Sequence, residues 1–169
     1  MKEIMDANSI KRSLVRMSHE IIEKNKGVDH IVLLGIKTRG ATLAKRLAAI
    51  IKEIEQVDVP VASIDIRYWR DDMDNSGIEI ESIEHDIKDK VVVLVDDVLF
   101  KGRTVRAAMD GVMYFGRAKQ IQLAILIDRG HRELPIRADY IGKNVPTSLS
   151  EEVKVLLSED DAKEGVFIN

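Results

Sequence analysis

Apolar residues at Ile10, Leu14, Met17 and Ile21 recur at the spacing of one helical face. This predicts a helix over residues 9–26, with cap candidates among residues 6–9 and Gly27 as terminator. Residues 30–36 form a short apolar run read as a buried strand, and Lys37-Thr38-Arg39-Gly40 follows as a turn. Helical spacing resumes over residues 41–55, where Leu43, Leu47, Ile50, Ile51 and Ile54 face inward. Alternation at Val61, Ser63, Asp65 and Arg67 predicts a strand over residues 59–68, with Pro60 near its start. Residues 68–90 then lose any period, which predicts a flap or hairpin. A strand over residues 91–95, a helix over 104–115 and a strand over 121–127 complete the pattern. Strands alternating with helices predict an α/β fold, with a mostly parallel sheet covered on both faces and its ligand site at the carboxyl ends of the strands.

The chain has 169 residues, which fits a single domain over 1–169 with one core. It is 45% hydrophobic and 33% charged, and no apolar run approaches the ~20 residues of a membrane span. Residues 1–8 are polar and carry no secretory pattern, and the chain has no cysteine. Disulfides, thiolate nucleophiles and cysteine-held zinc are thereby excluded, and a cytoplasmic protein without membrane contact is expected. The net charge of −3 is uneven, because Glu151, Glu152, Glu159, Asp160, Asp161 and Glu164 gather after Ser150. The rest of the chain is slightly basic, so a nucleic-acid surface stays open.

The most informative chemistry follows Val91 to Val95, where the strand runs into Asp96-Asp97 and then Lys101-Gly102-Arg103-Thr104 opens a helix. Unpaired N–H groups and the positive end of the helix dipole favour a phosphate there. The two carboxylates can accept hydrogen bonds from vicinal sugar hydroxyls, so the pattern suits a phosphorylated sugar. Taken alone, the acid pair is equally a solvated turn, and Lys-Thr-Arg-Gly an ordinary basic one. Arg12, Arg16, His19 and Glu23 repeat on the helix face opposite the core stripe, as a solvated charged face also would.

The Asp96-Asp97 to Thr104 segment resembles the phosphoribosyl-pyrophosphate (PRPP) signature of type I phosphoribosyltransferases. Together with Gly35 to Gly40 and the long stretch from Asp128 to Ser148, it resembles the PyrR family of bifunctional pyrimidine-operon attenuation regulators and uracil phosphoribosyltransferases. The resemblance implies a type I phosphoribosyltransferase fold, a central mostly parallel sheet flanked by helices, with a small hood from residues 68–90 and from the chain ends near Val145. It implies that Asp96 and Asp97 hold the ribose hydroxyls and that Lys101, Gly102, Arg103 and Thr104 cradle the 5′-phosphate. Lys37, Thr38, Arg39 and Gly40 would bind pyrophosphate, Arg70 would reach it on closure, and uracil would lie under the segment from Arg129 to Val145. Asp96, Asp97 and Arg39 are the expected catalytic set. Magnesium would ride on PRPP and pyrophosphate, with no metal ligand assigned to the protein.

The same resemblance places RNA binding on Arg12, Arg16, His19, Lys24, Thr38, His131, Arg137 and Lys143. The implied partners are a pyrimidine-operon leader hairpin, UMP or UTP, uracil, PRPP and further copies of the chain as a homodimer or homotetramer. Two departures bear on turnover. Lys101 stands where threonine is usual in the family, and residues 70–91 are fewer than in typical members. Three readings stay open here: a regulator with a transferase site, a salvage enzyme without an RNA role, and an inactive nucleotide-binding scaffold.

Overall fold

The computed structural model describes all 169 residues and opens with a short strand, β1 (Lys2–Met5), that turns directly into α1 (Ala7–Asn25). Asp6 caps α1 by accepting a hydrogen bond from the Ser9 N–H at 2.8 Å, and Lys26 ends it in the left-handed region just before Gly27. There follow β2 (Ile31–Ile36), α2 (Arg39–Glu55), β3 (Val61–Ile64), β4 (Val91–Leu99), α3 (Arg103–Phe115) and β5 (Gln120–Asp128). Three short strands close the chain, β6 (Tyr140–Asn144), β7 (Val153–Leu156) and β8 (Gly165–Ile168).

The central sheet has the order β3-β2-β4-β5-β6, and every neighbouring pair is parallel. Alternation along the strands splits the interior in two. Ile31 and Leu33 of β2 and Val91, Val93 and Val95 of β4 pack with α1 and α2. Val32, Leu34, Val92 and Leu94 pack on the other face with Val105, Ala108 and Val112 of α3. Burial on both faces is why these strands read as unbroken apolar runs. Strand order reverses between β2 and β4, so the loops leaving these two strands diverge to opposite faces and leave a crevice between them.

The structure departs from the sequence expectations along β4, after β3, over residues 70–90 and at the hood. β4 does not stop at Val95: its ladder with β5 continues through Val98 opposite Ile127 and Leu99 opposite Asp128, so both acids lie within the strand. β3 ends at Ile64 and a 3-10 turn takes Arg67–Trp69. Residues 70–90 hold no helix or strand, so no hairpin forms there. The hood is an antiparallel sheet of order β1-β8-β7, built from the chain ends alone. Each of its strands spans four residues, too few for alternation to stand out, yet Met5, Val155 and Val166 bury into the core under α1 and α2.

Candidate active site

Two helix N-termini flank the β2/β4 crevice. α2 begins at Arg39, two residues ahead of the position the periodicity predicts, so the Lys37-Thr38-Arg39-Gly40 turn is itself the helix start. The Lys37–Thr38 peptide bond is cis. Gly40 is required by proximity, since a Cβ there would collide with the Val95 carbonyl oxygen of β4. α3 begins at Arg103 after Gly102, whose φ of +94° lies in the region that favours glycine. Both turns therefore present helix N–H groups toward the crevice.

Two cavities meet there, with Val98 and Thr104 lining both. One, of about 510 Å³, lies over the α3 start and takes Lys101, Gly102, Arg103 and Thr104 in its wall. The other, of about 500 Å³, is lined by Lys37, Thr38, Arg39, Arg70, Asp96 and Asp97. Asp65 and Arg67 also line it, and neither was assigned a role from sequence. Their signal was charge at the carboxyl end of a strand next to β2, which periodicity records only as alternation. A third cavity, of about 400 Å³, opens among Asp128, Gly130, His131, Arg132, Asn144 and Thr147.

Asp96 is buried, and its carboxylate accepts a hydrogen bond from the Asp97 N–H at 2.9 Å. Burial, and then the Asp97 carboxylate beside it, hold its pKa well above the ordinary carboxylate range. Asp97 is half-buried and accepts from the Val98 N–H at 2.7 Å. The cations around the acids are each paired. Lys37 Nζ lies 2.7 Å from Glu81, Arg70 Nη2 lies 2.6 Å from Asp72, and Arg67 forks onto Asp65. Arg39 donates to both oxygens of Asp161, a hood residue, at 2.7 and 3.2 Å. Arg103 bridges Asp71 and Glu133 at 3.1 Å each, and Lys101 is half-exposed with its Nζ 4.0 Å from Glu133.

Of the two ends of the segment expected to lie over the base, Arg129 lines the third cavity and Val145 does not. The Arg129 guanidinium is buried, donates to Thr147 Oγ1, Ser148 O and Glu151 O, and stacks 3.9 Å from the Phe100 ring centre. The Val145 side chain is in the core and its N–H donates to Asp128 O at 2.8 Å. Both fix the loop; Gly130, His131, Arg132 and Asn144 are the members of the segment that line the third cavity beside Arg129.

The eight residues assigned to RNA fall in separate places. Arg12, Arg16 and Lys143 line one groove of about 370 Å³ between α1 and β6. Arg16 also holds the fold, donating to Ile141 O at 3.2 Å and Gly142 O at 2.6 Å. His19 and Arg137 are exposed, and Lys24 pairs with Asp139 at 2.8 Å. Thr38 and His131 belong to the crevice and the third cavity instead.

Residues 1–156 match the family described as the phosphoribosyl transferase domain. The chain is 59% identical over 172 residues to a protein of Oceanobacillus iheyensis named bifunctional protein PyrR, covering 98% of this chain and 96% of that protein. It is 53% identical over 171 residues to the bifunctional protein PyrR of Ligilactobacillus salivarius, again covering 98% and 96% of the two. The hypoxanthine phosphoribosyltransferase of Trypanosoma cruzi superposes with a TM-score of 0.77 over 99% of this chain and 95% of its own, at 17% identity. That likeness establishes the type I phosphoribosyltransferase fold. The chain belongs to the phosphoribosyl transferase domain family and, within it, to the PyrR proteins.

Proposed function

We propose that this chain is a pyrimidine-operon attenuation regulator that carries a uracil phosphoribosyltransferase site, converting uracil and PRPP to UMP and pyrophosphate. The observation that carries the reading is the crevice between β2 and β4, where Asp96 and Asp97 face a ring of Lys37, Arg39, Arg67 and Arg70 beside two helix N-termini. Ribose hydroxyls donate to the acids, the 5′-phosphate takes the turn at Lys101 to Thr104, and pyrophosphate takes the turn at Lys37 to Gly40. No side-chain nucleophile is needed: the leaving pyrophosphate is stabilised by fixed cations while the anomeric carbon gains oxocarbenium character. The base lies in the third cavity, where the loop after β5 offers backbone groups for its amide-like edge.

Asp96 and Asp97 supply hard oxygen donors, yet no cluster of three or more carboxylates or imidazoles is present. Such a set suits magnesium delivered on PRPP rather than held by a protein cage, and the ion when bound adds positive charge at the leaving group. RNA binding is assigned to the groove of Arg12, Arg16 and Lys143, where phosphates meet cations and a folded loop supplies shape. Nucleotide in the crevice favours RNA binding, a coupling that is necessarily reciprocal. No helix is long and apolar enough to cross a membrane. A cytoplasmic homodimer or homotetramer is part of the same proposal.

The test is a uracil-dependent pyrophosphate-release assay run beside binding of a pyrimidine-operon leader hairpin across a salt series, with and without UMP. UMP-enhanced binding that weakens with salt, together with turnover, is expected. Turnover without RNA binding would make the protein a salvage enzyme, and UMP-enhanced RNA binding without turnover would leave a nucleotide-sensing scaffold.

A further inference from the structure

The acidic run after Ser150 has no part in the site as read from sequence, yet the loop between β7 and β8 lies along α2. Glu159 accepts from Arg46 Nε at 2.8 Å, Asp160 accepts from Thr42 Oγ1 at 2.6 Å, and Asp161 takes the Nε and Nη2 edge of Arg39. Residues 39, 42 and 46 share one face of the helix, so the loop docks in register. Asp161 is itself fixed: its Oδ2 accepts from Leu157 N–H at 2.8 Å, its own N–H donates to Leu157 O at 2.7 Å, and its side chain is only 15% exposed. Of the other cations lining this cavity, Lys37 and Arg70 have looser partners, since Glu81 and Asp72 are 53% and 56% exposed and are free to yield to a ligand, whereas Arg67 is forked onto Asp65 of its own turn.

Resting on the reading that Arg39 meets pyrophosphate, we propose that Asp161 is a positioning residue of the pyrophosphate site, locking the Arg39 fork so that its unpartnered Nη1 amino group serves the ligand. Arg39 lines the cavity beside Asp96 and Asp97, and its Nη1 makes no hydrogen bond within the protein. A bidentate carboxylate removes the rotamer freedom that a free arginine would otherwise lose on binding. The consequence is that the C-terminal hood completes a site whose other members come from the central sheet and the segment after β3.

The experiment measures the Kd of magnesium pyrophosphate by calorimetry and the KM values for PRPP and uracil. Asp161→Asn is expected to raise Kd and the PRPP KM about tenfold, roughly 1.4 kcal/mol, and to leave the uracil KM unchanged. Glu159→Gln, which loosens the same loop without touching Arg39, is expected to change none of them. Arg39→Lys keeps the charge and leaves the hood intact but cannot be forked, and the same rise is expected. In an Arg39→Ala background Asp161→Asn should add nothing. Unchanged or tighter pyrophosphate binding by Asp161→Asn, or additive effects in the double variant, overturns the positioning role alone. A wild-type protein that binds no magnesium pyrophosphate, or binding indifferent to Arg39→Ala, overturns the pyrophosphate reading and this proposal with it.

Discussion

At Asp96 a buried carboxyl sets the cost of its charge against the hydroxyl contact that the proposed reaction asks of it. Burial and the neighbouring Asp97 raise its pKa in the folded state, so its contribution to stability is fully present below the ordinary carboxylate range and is lost as pH rises through the raised value. Asp96→Asn removes the cost of a buried charge. We expect its thermal midpoint to exceed wild type at pH 7, with the difference closing as pH falls toward 4, while the PRPP KM rises at least about tenfold from the lost hydroxyl contact. Equal midpoints across that pH range would show that the folded protein already answers the Asp96 charge. Gly40 makes a simpler case, because the atom that a Cβ would strike is a strand carbonyl rather than a flexible side chain. Gly40→Ala should cost on the order of 1–3 kcal/mol in urea unfolding, as overpacking does, and weaken pyrophosphate binding too. An unaltered urea midpoint would mean that α2 can shift away from β4.

At the scale of elements, α1 presents two arginines on one exposed face that are held in different ways. Arg12 forms a 3.3 Å contact with Ser9 of its own helix, whereas Arg16 reaches two carbonyls of β6 and pairs with Glu20. The two arginines look alike in sequence, one turn apart, yet only one fastens the helix to the sheet. Arg12→Glu is therefore expected to weaken hairpin binding, flatten its salt dependence and leave both turnover and unfolding midpoint as they were. Arg16→Glu should lower the midpoint as well, since the Ile141 and Gly142 carbonyls lose their donor. If Arg12→Glu binds the hairpin as well as wild type, the groove between α1 and β6 is not the RNA surface.

The whole molecule is a parallel sheet clasped by its own two ends, and that clasp is electrostatic along α2. Arg46 holds Glu159 with a pKa of about 2 and lowers Glu164, while Arg39 lowers Asp161. Depressed acids contribute stability above their unfolded values, and that contribution fades as pH falls from about 4.5 toward 2. Amide protection in β7 and β8, corrected for the intrinsic exchange rate at each pH, should accordingly fall over this window before protection in β2 and β4 does; simultaneous loss would show that hood and sheet open as one unit. The layered α/β fold and the two glycine-bearing turns that open α2 and α3 were legible in the sequence, because helical and strand periods and a glycine beside an acid pair are local properties of consecutive residues. The sequence also placed the basic face of α1 by spacing alone. Tertiary structure decided the rest: that four-residue strands from opposite ends pair into a hood, that Arg129 and Val145 fix a loop, and that Asp161 meets Arg39 across 122 residues. Such pairings depend on which groups the folded chain brings together, and nothing in the order of neighbouring residues encodes that distance.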